Sequence, residues 1–189
     1  RLQKAFSTCR LRARRRWPFT RSRLPKARTE PSPGSGTGRT QIGELVARQP
    51  FDDQGVYFQV TRGVAKRDHA FPTGVAPTVF MMSNPLATPS AEQIEQGVAV
   101  VTAEDNRWRR CDLKTISLVG NVLMRQLAAD AGAIETVMFR DGQLTEASAS
   151  NVLVVMDGGI VAPPKDNLIL PGITYGAAYE FAQEAGMPF

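Results

Sequence analysis

Apolar positions in this chain fall into short blocks separated by polar turns, and their spacing changes from block to block. Residues 43–48 read as the last turns of a helix, with order beginning near Ile42. Residues 55–61 are rich in β-branched and aromatic side chains and predict a strand, followed by strands over 78–82 and 98–102. The polar stretch 89–96 predicts a connection with a short helix opening at Ser90. From 113 to 131, Ile116, Val119, Leu123 and Leu127 recur at helical spacing, and Gly132 is a plausible stop. Two further strands, 135–139 and 151–156, run into the turn signals Asp141-Gly142 and Asp157-Gly158-Gly159. Pro171-Gly172 then introduces a final helix that runs through Tyr179 and Phe181 to Ala185. The pattern is mixed α and β and reads as cut at both ends.

Residues 8–40 break this pattern. They show no sustained apolar period, contain Arg14-Arg15-Arg16 and scattered prolines, and end in a Pro/Gly/Ser run. Such a composition buries too little surface to offset chain entropy, so disorder is expected. Charge sharpens the contrast. The net +5 of the 189 residues conceals +11 over residues 1–40 and −6 over the remainder, the signature of a tail or insert beside an acidic body. An Arg-rich, Ser-rich, acid-poor stretch also suggests an organellar transit peptide. Because the chain starts with Arg1 rather than Met, its true N-terminus is expected to be missing. The basic segment alternatively suggests a tail for nucleic acid or an acidic membrane surface. No aromatic interleaving or recognition motif accompanies it, so a nucleic-acid partner is not expected.

With 42% hydrophobic residues the chain can form one sizeable core or two small domains. No apolar run approaches a membrane span, and no membrane partner is expected. Cys9 and Cys111 cannot build a disulfide framework, so a reducing cytoplasm is the simplest compartment. A single histidine, His69, argues against a multi-histidine metal site and against a Ser-His-Asp hydrolase. The glycines at 34–38 follow no strand and precede no Gly-Lys-Ser/Thr, so they do not read as a phosphate loop.

Three segments remain, around Lys114, around Glu146, and over 167–174. Separately each has an ordinary reading. Lys114 is an exposed lysine at a helix start, Glu146 a solvated acid following a hairpin, and Pro171-Gly-Ile-Thr174 a helix cap. In order, however, the chain carries Tyr57-Phe-Gln-Val-Thr-Arg-Gly63, Arg67-Asp-His69, Cys111-Asp-Leu-Lys114, Thr145-Glu146, Ser150-Asn151 and Leu170-Pro-Gly-Ile-Thr174. This series, from about Ile42 to Ala185, resembles the D-amino-acid and branched-chain aminotransferases of the fold-type IV pyridoxal-phosphate enzymes.

The resemblance implies an α+β fold of two small α/β domains with the cofactor between them, truncated at both ends. Residues 42–106 would be the rest of the N-terminal domain and 107–189 part of the cofactor-binding domain. Residues 1–41 would be a disordered or aberrant basic segment, such as a frameshifted reading frame would produce. The implied cofactor is pyridoxal 5′-phosphate, carried by Lys114 as a Schiff base. Glu146 would contact the pyridine nitrogen, Ile173 and Thr174 the phosphate, and Leu170 the ring, with Arg1 a further phosphate ligand. Arg67 and His69 would hold the substrate carboxylate, with Tyr57 lining the pocket; the alternative for Arg67 and His69 is a surface turn. The implied reaction is ping-pong transamination between a D-amino acid and a 2-oxo acid, by a cytoplasmic homodimer. Alternatives are a branched-chain L-amino-acid aminotransferase, an aminodeoxychorismate lyase, or an inactive fragment. Ala147, Ala149 and Tyr175 depart from the glycine, serine or arginine usual in relatives.

Overall fold

Residues 9–10 and 35–189 are described by a computed structural model. In chain order the elements are β1 (Cys9–Arg10), α1 (Ser35–Ala47), β2 (Gln54–Thr61), β3 (Thr78–Pro85), α2 (Ala91–Gln96) and β4 (Ala99–Glu104). They continue with α3 (Val119–Asp130), β5 (Glu135–Arg140), β6 (Gln143–Ala147), β7 (Val154–Met156), β8 (Gly159–Val161) and α4 (Ile173–Glu184). The chain divides into two compact units between Pro89 and Ser90.

Residues 35–89 form the smaller unit. Strands β2 and β3 pair antiparallel without a slip, from Gln54 opposite Pro85 to Thr61 opposite Thr78. The apolar pattern found the hairpin, but Phe58, Val60, Val79 and Phe80 remain exposed. Helix α1 begins at Ser35, inside the stretch expected to be disordered. It gains a C-terminal partner that its composition does not reveal: the Gln54 side chain donates to the Val46 carbonyl at 3.2 Å and to that of Phe51 at 2.8 Å.

The second unit, 90–189 with Cys9–Arg10, is built on a four-stranded sheet in the order β1-β4-β5-β6. Strands β4 and β5 are parallel, as expected for neighbours joined by a helical crossover, and α3 packs on both. Val101, Ala128 and Ala133 form the small apolar cluster between them, and the Thr136 hydroxyl donates to the Met124 carbonyl at 2.6 Å. Strand β5 turns into β6 through Asp141 (φ 52°) and Gly142 (φ 77°); two successive positive φ values suit an Asp-Gly hairpin. A second hairpin joins β7 to β8 through Asp157-Gly158. At the start of the unit, Ser90 and Gln93 form a reciprocal capping box on α2, where the polar pattern placed a helix start.

The structure corrects several expectations. The unit boundary lies before Ser90 rather than at 106/107, because β4 is hydrogen-bonded into the sheet with β5. Helix α3 begins at Val119, not at 113. Before it, Leu113 N–H bonds the Arg110 carbonyl, Ser117 N–H bonds Thr115 Oγ1, and Leu118 N–H bonds the Ile116 carbonyl. These local turns compete with helix formation. The buried face of α3 is Met124 and Ala128, while Val119 and Leu123 are exposed. The strand expected over 151–156 shortens to β7, and β6 and β8 were not anticipated. Cys9 and Arg10, within the segment expected to be disordered, pair with Val100 and Ala99.

Candidate active site

Glu146 does not follow the first hairpin; it lies within β6, and its carboxylate is buried. Pairing of β6 with β5 carries it to the inside of the unit, where three donors reach it. Arg107 Nη1 donates to Oε1 at 2.6 Å, Asn151 Nδ2 to Oε2 at 3.1 Å, and the Leu170 N–H to Oε2 at 3.0 Å. An ionised carboxylate offers about four lone-pair sites, so Oε1 keeps roughly one for a further donor. That spare acceptor fits the N–H of a protonated heterocyclic nitrogen.

Arg107 is the hub of the surrounding charges. Its Nε and Nη2 grip Asp105 as a fork, both at 2.9 Å, and its Nη2 also reaches the Leu168 carbonyl at 3.3 Å. Asp105 further accepts from the Thr145 hydroxyl at 2.9 Å and forms an ion pair with Arg140 at 3.2 Å. Burial alone would raise the Asp105 carboxyl, but hydrogen bonds and charge from Arg107, with help from Thr145, outweigh it and lower it to about 2. Burial would lower Arg107; its bonds to Asp105 and Glu146 hold its pKa above the ordinary arginine value instead. A buried ion pair needs such forked geometry and additional bonds to offset desolvation.

Asn151 connects this cluster to α4. Its Nδ2 also donates to the Leu170 carbonyl at 2.8 Å, and its Oδ1 accepts from the Gly172 N–H at 3.2 Å. Gly172 is the N-cap of the twelve-residue helix α4, and no side chain caps it. Its first-turn N–H groups therefore face an open end, with Ile173 91% exposed and Thr174 also exposed. Glu146, Leu170, Ile173 and Thr174 are thus brought onto connected segments.

Lys114 lies in the irregular stretch before α3, exposed, and its ammonium has no hydrogen bond or ion pair among the described residues. Its segment is tied to the one leading into α4. The Cys111 N–H donates to the Asn167 carbonyl at 2.9 Å, and Asn167 Nδ2 donates to the Arg109 carbonyl at 2.8 Å. Burial raises the pKa of the Cys111 thiol, which donates to the Trp108 carbonyl.

Tyr57, Arg67 and His69 belong to the unit of residues 35–89. The Tyr57 hydroxyl donates to Gln59 Oε1 at 2.6 Å. Arg67 and His69 are exposed, on a loop turned by Asp68, whose Oδ1 accepts the His69 N–H at 2.6 Å. Arg1 lies outside the described residues.

Sequence reasoning did not identify Arg107 and Asp105. Arg107 looks like Arg109 and Arg110, and only packing separates the buried arginine from its neighbours. Asn151 lies in the Ser150-Asn151 motif, which by itself carries no role. Among the departures, Tyr175 is buried and its hydroxyl donates to the Pro163 carbonyl at 2.9 Å, so it serves packing.

A family model described as amino-transferase class IV matches residues 27–189. The chain belongs to the class IV aminotransferases. A D-alanine aminotransferase from Bacillus licheniformis is 40% identical over 151 residues, covering 80% of this chain and 53% of that protein. The chain therefore spans about half the length of the curated relatives it matches. The Escherichia coli branched-chain amino acid aminotransferase structure superposes with a TM-score of 0.68 at 22% identity, covering 85% of this chain and 55% of that one. A hypothetical aminotransferase from Mycobacterium tuberculosis, in a form with α-ketoglutarate and PMP bound, gives a TM-score of 0.66 at 22% identity, covering 84% and 58%. Both show the fold. Class IV aminotransferases use pyridoxal phosphate, and the donors and acceptors available around Glu146 and α4 suit such a molecule.

Proposed function

We propose that this chain carries pyridoxal 5′-phosphate on Lys114 and transfers an amino group between a D-amino acid and a 2-oxo acid by a ping-pong route. One observation supports this above the others. A buried carboxylate with one acceptor site to spare is linked, through Leu170 and Asn151, to the uncapped start of a long helix. An acceptor for a ring N–H and a seat for an anion are the two ends such a cofactor requires.

When bound, pyridoxal phosphate supplies an aldehyde that takes up the amine and a ring that withdraws electrons from the substrate α-carbon. The chain's own groups do the rest. Lys114 Nζ, free of ion pairs among the described residues, takes the α-proton once it is unprotonated. Glu146 accepts from the ring N–H and stabilises positive charge there. First-turn N–H groups of α4 at Ile173 and Thr174, with the Thr174 hydroxyl, receive the phosphate. Leu170, half-buried, offers apolar surface to the ring. Arg1 as another phosphate ligand rests on the sequence resemblance alone.

Arg67 and His69, both exposed, are assigned to the substrate carboxylate, and Tyr57 to the pocket wall. The D preference is supported by 40% identity to a D-alanine aminotransferase, against a fold-level likeness at 22% to the branched-chain enzyme. A homodimer in the cytoplasm completes the proposal. Among the described residues no helix is long and apolar enough to cross a membrane.

The test is direct. Purified chain mixed with pyridoxal phosphate should develop a visible absorption band that Lys114→Ala abolishes. The band should respond to D-alanine and not to L-leucine or aminodeoxychorismate. A folded chain that never develops the band would overturn the cofactor assignment, and a response to L-leucine alone would overturn the D assignment.

A further inference from the structure

We infer that Asn151 is a positioning residue that fixes the span between the Glu146 carboxylate and the first turn of α4. The inference rests on reading those two features as the ring-nitrogen and phosphate anchors. Glu146 is held on β6, and Gly172 starts α4 twenty-six residues later; neither element fixes the other through backbone pairing. The link runs through two groups, the Asn151 amide and the Leu170 N–H. Asn151 Nδ2 donates to Glu146 Oε2 at 3.1 Å and to the Leu170 carbonyl at 2.8 Å, while Oδ1 accepts from the Gly172 N–H at 3.2 Å. The Leu170 N–H closes the arrangement on the same Oε2 at 3.0 Å.

An asparagine suits this task because one short, planar group presents donors and an acceptor together. Alanine has neither, and aspartate keeps the acceptor but sets a second negative charge against Glu146. The fit is tight as well. A Cβ added at Gly172 would collide with Asn151 Oδ1, so glycine lets the helix start approach the amide. The acid and the helix N-terminus are therefore held at one separation before any ligand arrives. Such preorganisation benefits a molecule that touches both anchors and does little for one that touches only one.

Three probes separate these cases: pyridoxal 5′-phosphate spans both anchors, pyridoxal reaches only the ring site, and inorganic phosphate only the helix start. Dissociation constants would be measured for the full chain, for Asn151→Ala and Asn151→Asp, and for Gly172→Ala, whose added Cβ makes either the Asn151 amide or the helix start give way and so breaks their spacing. Each variant should weaken pyridoxal phosphate about 10- to 100-fold, the scale of losing bonds to a charged group. Binding of pyridoxal and of inorganic phosphate should change less than about threefold, since each uses a single anchor. An equal loss for all three probes would show a merely structural role and overturn the inference, as would unchanged pyridoxal phosphate affinity. Asn151→Asp, nearly isosteric and still able to accept from Gly172, keeps the test valid where the alanine variant unfolds. A parent chain that binds pyridoxal phosphate no better than pyridoxal would instead sink the anchor reading itself, and this inference with it.

Discussion

In residues 90–189 the charged groups around Glu146 are buried and bonded to one another: Asp105, Arg107 and Arg140 form one continuous ion-paired set with it. In residues 35–89 the candidates Arg67 and His69 stand in solvent on a turn, without an ion pair among the described residues. The contrast separates two ways of placing functional groups. A buried set is held in position by its own bonds, and altering one member also removes structural support. An exposed pair is free to be changed for a different substrate at little cost to the fold.

The largest effect expected from this contrast is on stability. Arg107→Met would leave Asp105 and Glu146 buried without their shared cation, at a cost of about 3–5 kcal/mol in urea unfolding. A cost below 1 kcal/mol would show the network to be dispensable and erase the distinction. Lys114→Ala tests function without structure: rate should fall about 10²- to 10⁴-fold while the unfolding midpoint stays put, because the side chain makes no hydrogen bond or ion pair among the described residues.

Acid provides a graded probe of the buried set. Asp105 is lowered in the folded chain to about 2 from an ordinary 3.8. Its contribution is therefore fully present above roughly pH 4 and lost as pH falls through about 2, amounting to about 2 kcal/mol. Asp105→Asn should remove that part of the acid dependence, as seen in unfolding curves across the same window. The smallest effect belongs to the exposed pair. Arg67→Ala with His69→Ala should move stability by no more than about 0.5 kcal/mol and retain the cofactor band, while D-amino-acid turnover falls. Loss of the band in that variant would break the proposed division between cofactor and substrate groups.

How much of this could be read in the chain follows from how far apart the interacting residues lie. Turns at Asp141-Gly142 and Asp157-Gly158, the cap at Ser90 and the start of α4 are local devices, and the sequence displays them. The motif order around Lys114, Glu146 and Thr174 likewise pointed to the family. The Arg107–Glu146 pair joins residues 39 apart, and Thr145 and Asp105 are 40 apart; no periodicity encodes such a meeting. The onset of α3 was misplaced for the opposite reason. Apolar spacing extends back to Ile116, but short-range bonds from Thr115 and Ile116 override it.

The capping box at Ser90 has a practical consequence for dissecting the molecule. A gene cut immediately before this residue would remove the two-residue β1 from the edge of β4, but would preserve the start signal of α2 and leave β4 in the sheet with β5. A cut before residue 107, where the sequence suggested a border, would remove β4 and Asp105 together. It would bare the edge of β5, inviting strand-to-strand aggregation, and strip Arg107 of its forked partner. Truncation products from the two cuts should differ in solubility even though only seventeen residues separate them.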